Sequence, residues 1–209
     1  MVSFGVRPSS LGFGAGRAVA LPDYSLLLAS NNYSGINLHS GTGKSVANSV
    51  GGFLPGDVLL KLKGETSEQI ASLPHPFYTP IATFGSEYVL EPVAYGLKFA
   101  GLFSGGSFLP AEYTAKLQTT GVDATAYAAM PPSGHAVVVV LNKDAARDLE
   151  VKLDFGTRRT GTVETTILHA SSLESREAHL THSSERVTLR HCKYTASVRR
   201  ATGACLTLK

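Results

Sequence analysis

From Gly106 onward the chain is cut into short β-rich runs, and this punctuation restricts the fold more than any other feature. The runs are residues 125–128, 135–141, 149–155, 163–168, 187–189 and 204–208. Turn chemistry separates several of them, at residues 131–134, 142–144 and 156–161. Strands punctuated this way predict an antiparallel β-sandwich, because parallel pairs need crossover connections of a dozen or more residues. In residues 149–155, Leu149, Val151, Leu153 and Phe155 alternate with Glu150, Lys152 and Asp154, so one face of that strand meets water. Residues 137–140 are all valine, which predicts a central strand covered on both faces.

The first hundred residues obey a different grammar. Residues 14–30 carry alanines and then Leu21, Tyr24, Leu27 and Leu28 at helical spacing, and Asn31-Asn32 ends the predicted helix. Residues 35–38 follow as a short strand whose tip holds Asn37, His39, Ser40 and Gly41. Residues 41–56 are rich in glycine, serine and asparagine and read as a loop, and residues 58–63 as a short strand. Three prolines among residues 73–80 exclude a helix there. Residues 87–103 are a predicted second helix, with Glu91 and Pro92 suited to its first turn. The expected domain boundary lies at Gly105-Gly106.

Composition excludes several classes. The 209 residues are 43% hydrophobic and 17% charged, the balance of a globular chain rather than a disordered one. The net charge of +3 is spread out, with Arg158-Arg159 and Arg199-Arg200 as isolated pairs, so nucleic acid is not an expected partner. No uninterrupted apolar run reaches the roughly 18 residues of a membrane span. Residues 1–13 lack the basic and apolar regions of a signal peptide, and compartment stays open. Cys192 and Cys205 are too few for a disulfide framework and leave their pairing open. Asn32-Tyr33-Ser34 is a formal glycosylation sequon.

Chemistry-bearing motifs are sparse. Ser40-Gly41-Thr42-Gly43-Lys44-Ser45 looks like the end of a phosphate-binding loop, but that motif needs glycine where Leu38 stands, and a helix directly after it. A nucleotide cofactor is therefore not expected. His169, His179, His182 and His191 have no metal-ligand spacing, and no metal is expected. Asp23 is the lone carboxylate among residues 1–33, and Asp123, Asp144 and Asp148 fall in turns. No two acids are placed as the cleft-facing pair a glycosidase uses, so no catalytic residue is assigned. Tyr78 is an even choice between facing a cleft and packing, whereas Tyr95 reads as core.

Five segments in order carry a family resemblance: residues 13–27, beginning Phe13-Gly14-Ala15-Gly16-Arg17, then residues 35–41, 78–81, 91–100 and 137–144. In this order the chain resembles the C-terminal portion of glycoside hydrolase family 79, the β-glucuronidases related to heparanase. The resemblance implies an α+β chain in two parts. Residues 1–104 would be a remnant of a (β/α)8 barrel, its last strand with the flanking helices. Residues 105–209 would be the β-sandwich beside it. Family members are retaining enzymes with two barrel-strand glutamates and no metal or cofactor, and the nucleophile belongs before the helix that starts near Gly14. Residues 1–13 contain neither glutamate. Asn37, His39, Ser40, Gly41 and Tyr78 become substrate-side residues, with Gly41 matching a glycine that helps hold the sugar carboxylate. The family's tyrosine in that loop has no counterpart, since residues 42–44 take its place. The implied partner is a glycan or glucuronide when a full barrel of about 250 residues is present, and the family suggests an extracytoplasmic setting. Exposed barrel edges would favour association. The alternative is a non-catalytic carbohydrate-binding or scaffolding β-sandwich, which calls for exposed aromatics among Phe108, Tyr113, Tyr127, Phe155 and Tyr194.

Overall fold

A computed structural model describes residues 16–36, 80–84, 87–110, 121–154, 160–171, 175, 177–189 and 193–209. The first element is helix α1 (Gly16–Ser30), with Pro22 in its interior. Proline has no N–H, so the Ala18 carbonyl loses its intrahelical donor. That carbonyl is met from outside by Gly96, where a Cβ would stand 2.7 Å from the Ala18 oxygen. The helix closes in a Schellman motif, in which Tyr33 N–H donates to Leu28 O and Asn32 N–H to Ala29 O, both at 3.0 Å. Asn32 sits at φ 64°, the left-handed conformation this motif requires and asparagine tolerates.

Strands β1 (Ile81–Phe84) and β2 (Glu87–Leu90) form an antiparallel hairpin with Ile81 opposite Leu90. Helix α2 (Pro92–Ala100) follows, and a 3-10 turn (Gly101–Phe103) extends it. This corrects the helix expected over residues 87–103, whose first four residues are strand. Pro92 explains the boundary: it occupies the first turn and forces Glu91 into an extended conformation, at φ −84° and ψ 160°. Residues 34–36, the described start of the strand expected at 35–38, are irregular. The remainder of that strand, the loop at 41–56 and the strand at 58–63 lie outside the described residues.

Beyond Gly105 the structure is antiparallel throughout the described residues. The strands are β3 (Ser107–Leu109), β4 (Ala124–Met130), β5 (Val137–Asn142) and β6 (Leu149–Asp154). They continue with β7 (Thr160–His169), β8 (His179–Thr188), β9 (Lys193–Val198) and β10 (Thr202–Leu208). Six of them form one sheet in the order β3-β4-β5-β10-β7-β8, and β6 pairs with β9 separately. The described residues are thus mostly antiparallel sheet with two α-helices. Strands β3 and β9 and the hairpin have no counterpart among the predicted runs, and β8 is much longer than the predicted run at 187–189.

The six-stranded sheet is covered on both sides, as the valine run required. Val137, Val139 and Leu141 of β5 face the helices, in one core with Ala18, Val19, Leu26 and Phe99. Val138 and Val140 face the other way, in a second core with Leu149, Val198, Leu206 and Leu208. The period-two alternation of a strand produces this division. Phe99 is fully buried against β10, where Gly203 makes room: a Cβ there would stand 3.2 Å from the Phe99 ring. Burying one such side chain contributes about 1.5–3 kcal/mol, so helix-to-sheet packing stabilises both layers.

Candidate functional site

The substrate-side residues expected from sequence, Asn37, His39, Ser40, Gly41 and Tyr78, all lie outside the described residues. Two other polar centres are described. The first joins α1 to the sheet. Asp23 points from the helix at β4 and β5, where its carboxylate accepts from Thr125 Oγ1 at 2.6 Å and Tyr127 Oη at 2.7 Å. Lys143, just past β5, donates to the same carboxylate at 2.6 Å, and its ammonium also reaches Asp123 at 3.2 Å. Burial by itself lowers the pKa of Lys143, but the charges of Asp23 and Asp123 and their hydrogen bonds outweigh it, so the net shift is upward.

Asp23 and Asp123 are therefore close neighbours, as the acids of a retaining glycosidase must be. Their chemistry differs from such a pair. One ammonium is shared between the two carboxylates, and Asp23 is further engaged by two hydroxyl donors. The cluster is a joint between layers.

The second centre is a cleft of about 1100 Å³ where β7 and β8 begin to separate near the β9–β10 turn. His169 and His179 face each other across the strand pair, with ring centroids 5.7 Å apart. Glu177 lies 3.8 Å from His179 Nε2, beyond hydrogen-bond reach, and is largely solvated. Asp148 accepts from the backbone N–H of Arg200 at 2.9 Å, which fixes the turn, and Arg199 lines the same cleft. The sequence spacing made these histidines look scattered, whereas strand register brings two of them together. His182 instead bonds Thr166 at 2.8 Å, and His191 lies outside the described residues. Among the described residues no group of three His, Cys, Asp or Glu side chains is arranged to hold a metal.

Other residues singled out from sequence have structural employment. Tyr95 packs against the helix-side core, as expected. The sequence predicts a turn beginning at Asn142, yet Asn142 is fully buried at the end of β5 and its Nδ2 donates to Arg147 O at 2.9 Å and Val198 O at 3.1 Å. It ties β5 to β9, a role that no local pattern announces. Asp144 accepts the Ala146 and Arg147 backbone N–H groups, and these bonds, the one from Ala146 foremost, lower its pKa. Cys205 is a buried free thiol, pushed up to about 12 by burial, and Cys192 is outside the described residues. Of the aromatics needed for a sugar-stacking face, Tyr127 is bonded to Asp23, Tyr194 donates to Glu185 and Phe108 packs on the core, while Tyr113 and Phe155 lie outside the described residues.

With this geometry in view, solved structures supply the comparison. The chain superposes on an arabinofuranosidase with a TM-score of 0.53 over 68% of its length, at 12% identity. It shares that fold. A family 51 arabinofuranosidase from Xanthomonas axonopodis pv. citri gives a TM-score of 0.47 at 18% identity, over 63% of this chain and 29% of that one. A family 30 endoxylanase from Clostridium papyrosolvens C71 gives 0.40 at 15% identity, over 56% of this chain and 27% of that one. The chain spans about a third of the first arabinofuranosidase, 35% of its length. No protein-family profile matches the chain, and no curated protein does.

Proposed function

We propose that this chain is the C-terminal portion of a glycoside hydrolase, contributing part of the rim of a substrate cleft and an accessory β-sandwich. In this reading residues 1–104 belong to the end of a (β/α)8 barrel and residues 105–209 to the sandwich. The observation that carries it is the fold shared with the arabinofuranosidase over 68% of this chain but 35% of that enzyme. The finer reading, a β-glucuronidase of family 79, rests on the five ordered segments of sequence. Under it Asn37, His39, Ser40, Gly41 and Tyr78 line the sugar side, a glycan or glucuronide is the partner, and the catalytic glutamates come from elsewhere.

The chain by itself is then not catalytically competent. Among the described residues, Asp23 and Asp123 are brought together by Lys143, and Asp23 is tied to the sheet by two hydroxyls. Purified chain incubated with an aryl β-glucuronide and an aryl α-arabinofuranoside is expected to release no more chromophore than a heat-killed control. Turnover of either substrate above that control overturns the reading. Sequencing the transcript upstream of Met1 tests the parent enzyme: an in-frame barrel with two strand-end glutamates supports it, and an in-frame stop marks a remnant.

A further inference from the structure

Of the five asparagines in the chain, Asn32 is the one followed by a residue other than proline and then by serine. Its place in the fold gives that triplet a use. Asn32 is the left-handed residue that closes α1, at φ 64°, and residues 29–35 are all exposed. The Schellman motif engages backbone groups of Leu28, Ala29, Asn32 and Tyr33, and Asn32 itself is exposed at the turn. By contrast the neighbouring Asn31 side chain is occupied, donating to Leu27 O at 2.8 Å. Tyr33 is 64% exposed and offers an apolar ring beside the amide. Ser34, exposed as well, takes no part in the motif.

We propose that Asn32 is an N-glycosylation site, modified when the chain passes through a compartment holding an oligosaccharyltransferase and a polyprenyl-pyrophosphate-linked oligosaccharide. The Asn32 Nδ2 nitrogen forms a bond to C1 of the first sugar as the bond from C1 to the pyrophosphate oxygen breaks. The amide loses one proton to an enzyme base, the lipid pyrophosphate leaves with the electron pair, and nothing is oxidised or reduced. The helix end suits the modification because the glycan extends into solvent without displacing packed side chains. A capping role explains asparagine at position 32, since this residue type tolerates positive φ, but it does not call for serine at 34.

The test separates the two roles. The full chain is directed into the secretory route of a eukaryotic host behind a cleavable leader, and both cell lysate and medium are read by mass spectrometry. The expected product carries one glycan at Asn32, removed by a peptide amidase that leaves aspartate at that position. Asn32→Gly retains the left-handed cap and Ser34→Ala retains Asn32 itself; both are expected to lose the glycan completely while keeping the helical circular dichroism of the parent. A parent chain unmodified at Asn32 in both fractions overturns the proposal, as does a glycan that persists on Ser34→Ala.

Discussion

Asp23→Ala is the most informative perturbation of this fold. The Asp23 and Lys143 side chains are 13% and 18% exposed, so the ion pair is mostly shielded from solvent. Removing one partner of a buried pair costs about 3–5 kcal/mol, because the other charge is left desolvated. Here Lys143 retains Asp123 at 3.2 Å and some contact with water, which places the loss at the low end, about 3 kcal/mol. That is a large fraction of the roughly 5–15 kcal/mol of a typical domain. Lys143→Met is expected to cost less, since the carboxylate keeps the Thr125 and Tyr127 hydroxyls. In a double-mutant cycle the two changes should be coupled by about 1–2 kcal/mol.

Urea unfolding followed by far-ultraviolet circular dichroism measures each term. The pH dependence has a definite sign. The Lys143 pKa is raised above its ordinary 10.5, so its contribution is fully present below that value and disappears as pH climbs through the higher folded value. The gap in stability between parent and Asp23→Ala should therefore hold steady from neutral pH to about 10 and narrow above it, leaving the share carried by the Thr125 and Tyr127 hydroxyls. A loss below about 1 kcal/mol, or strict additivity in the cycle, would refute an energetic joint at this position.

Three further expectations follow from packing and burial. Gly96→Ala places a methyl group 2.7 Å from the Ala18 carbonyl oxygen, so α1 and α2 must separate; a loss of about 1–3 kcal/mol in urea unfolding is expected, and an unchanged midpoint would remove the close crossing. In a Cys192→Ser background, Cys205 should ignore a disulfide reagent at pH 8 until denaturant is added, because burial pushes its thiol up to about 12; fast labelling of the native chain contradicts this. Tyr194 is likewise raised to about 12, by burial first and then by the Glu185 carboxylate, so ultraviolet titration of Glu185→Gln should bring its midpoint down toward 10, and an unmoved midpoint would deny Glu185 any part.

What was legible in the sequence was local. The end of α1 at Asn31-Asn32, the helix start at Pro92, the turn at residues 131–134 and the doubly covered valine strand all follow from short-range sterics or a two-residue period. The hairpin over residues 81–90 was missed because Tyr88, Val89 and Leu90 fit a helix face as well as a strand, and pairing with residues 81–84 decides between them. The candidate sugar-side residues, Asn37, His39, Ser40, Gly41 and Tyr78, belong to segments outside the described residues and stand on resemblance alone.

Tertiary structure alone decided which polar residues meet. Asp23 looked like a stray acid in a helix until the fold placed it on Lys143, 120 positions away. His169 and His179 became a facing pair through strand register, and Asn142 became a buried tie between β5 and β9. Local patterns reflect the conformation of neighbouring residues, which sterics largely determine. Long-range pairs depend on which faces are buried against each other, and that choice is made by the whole core at once.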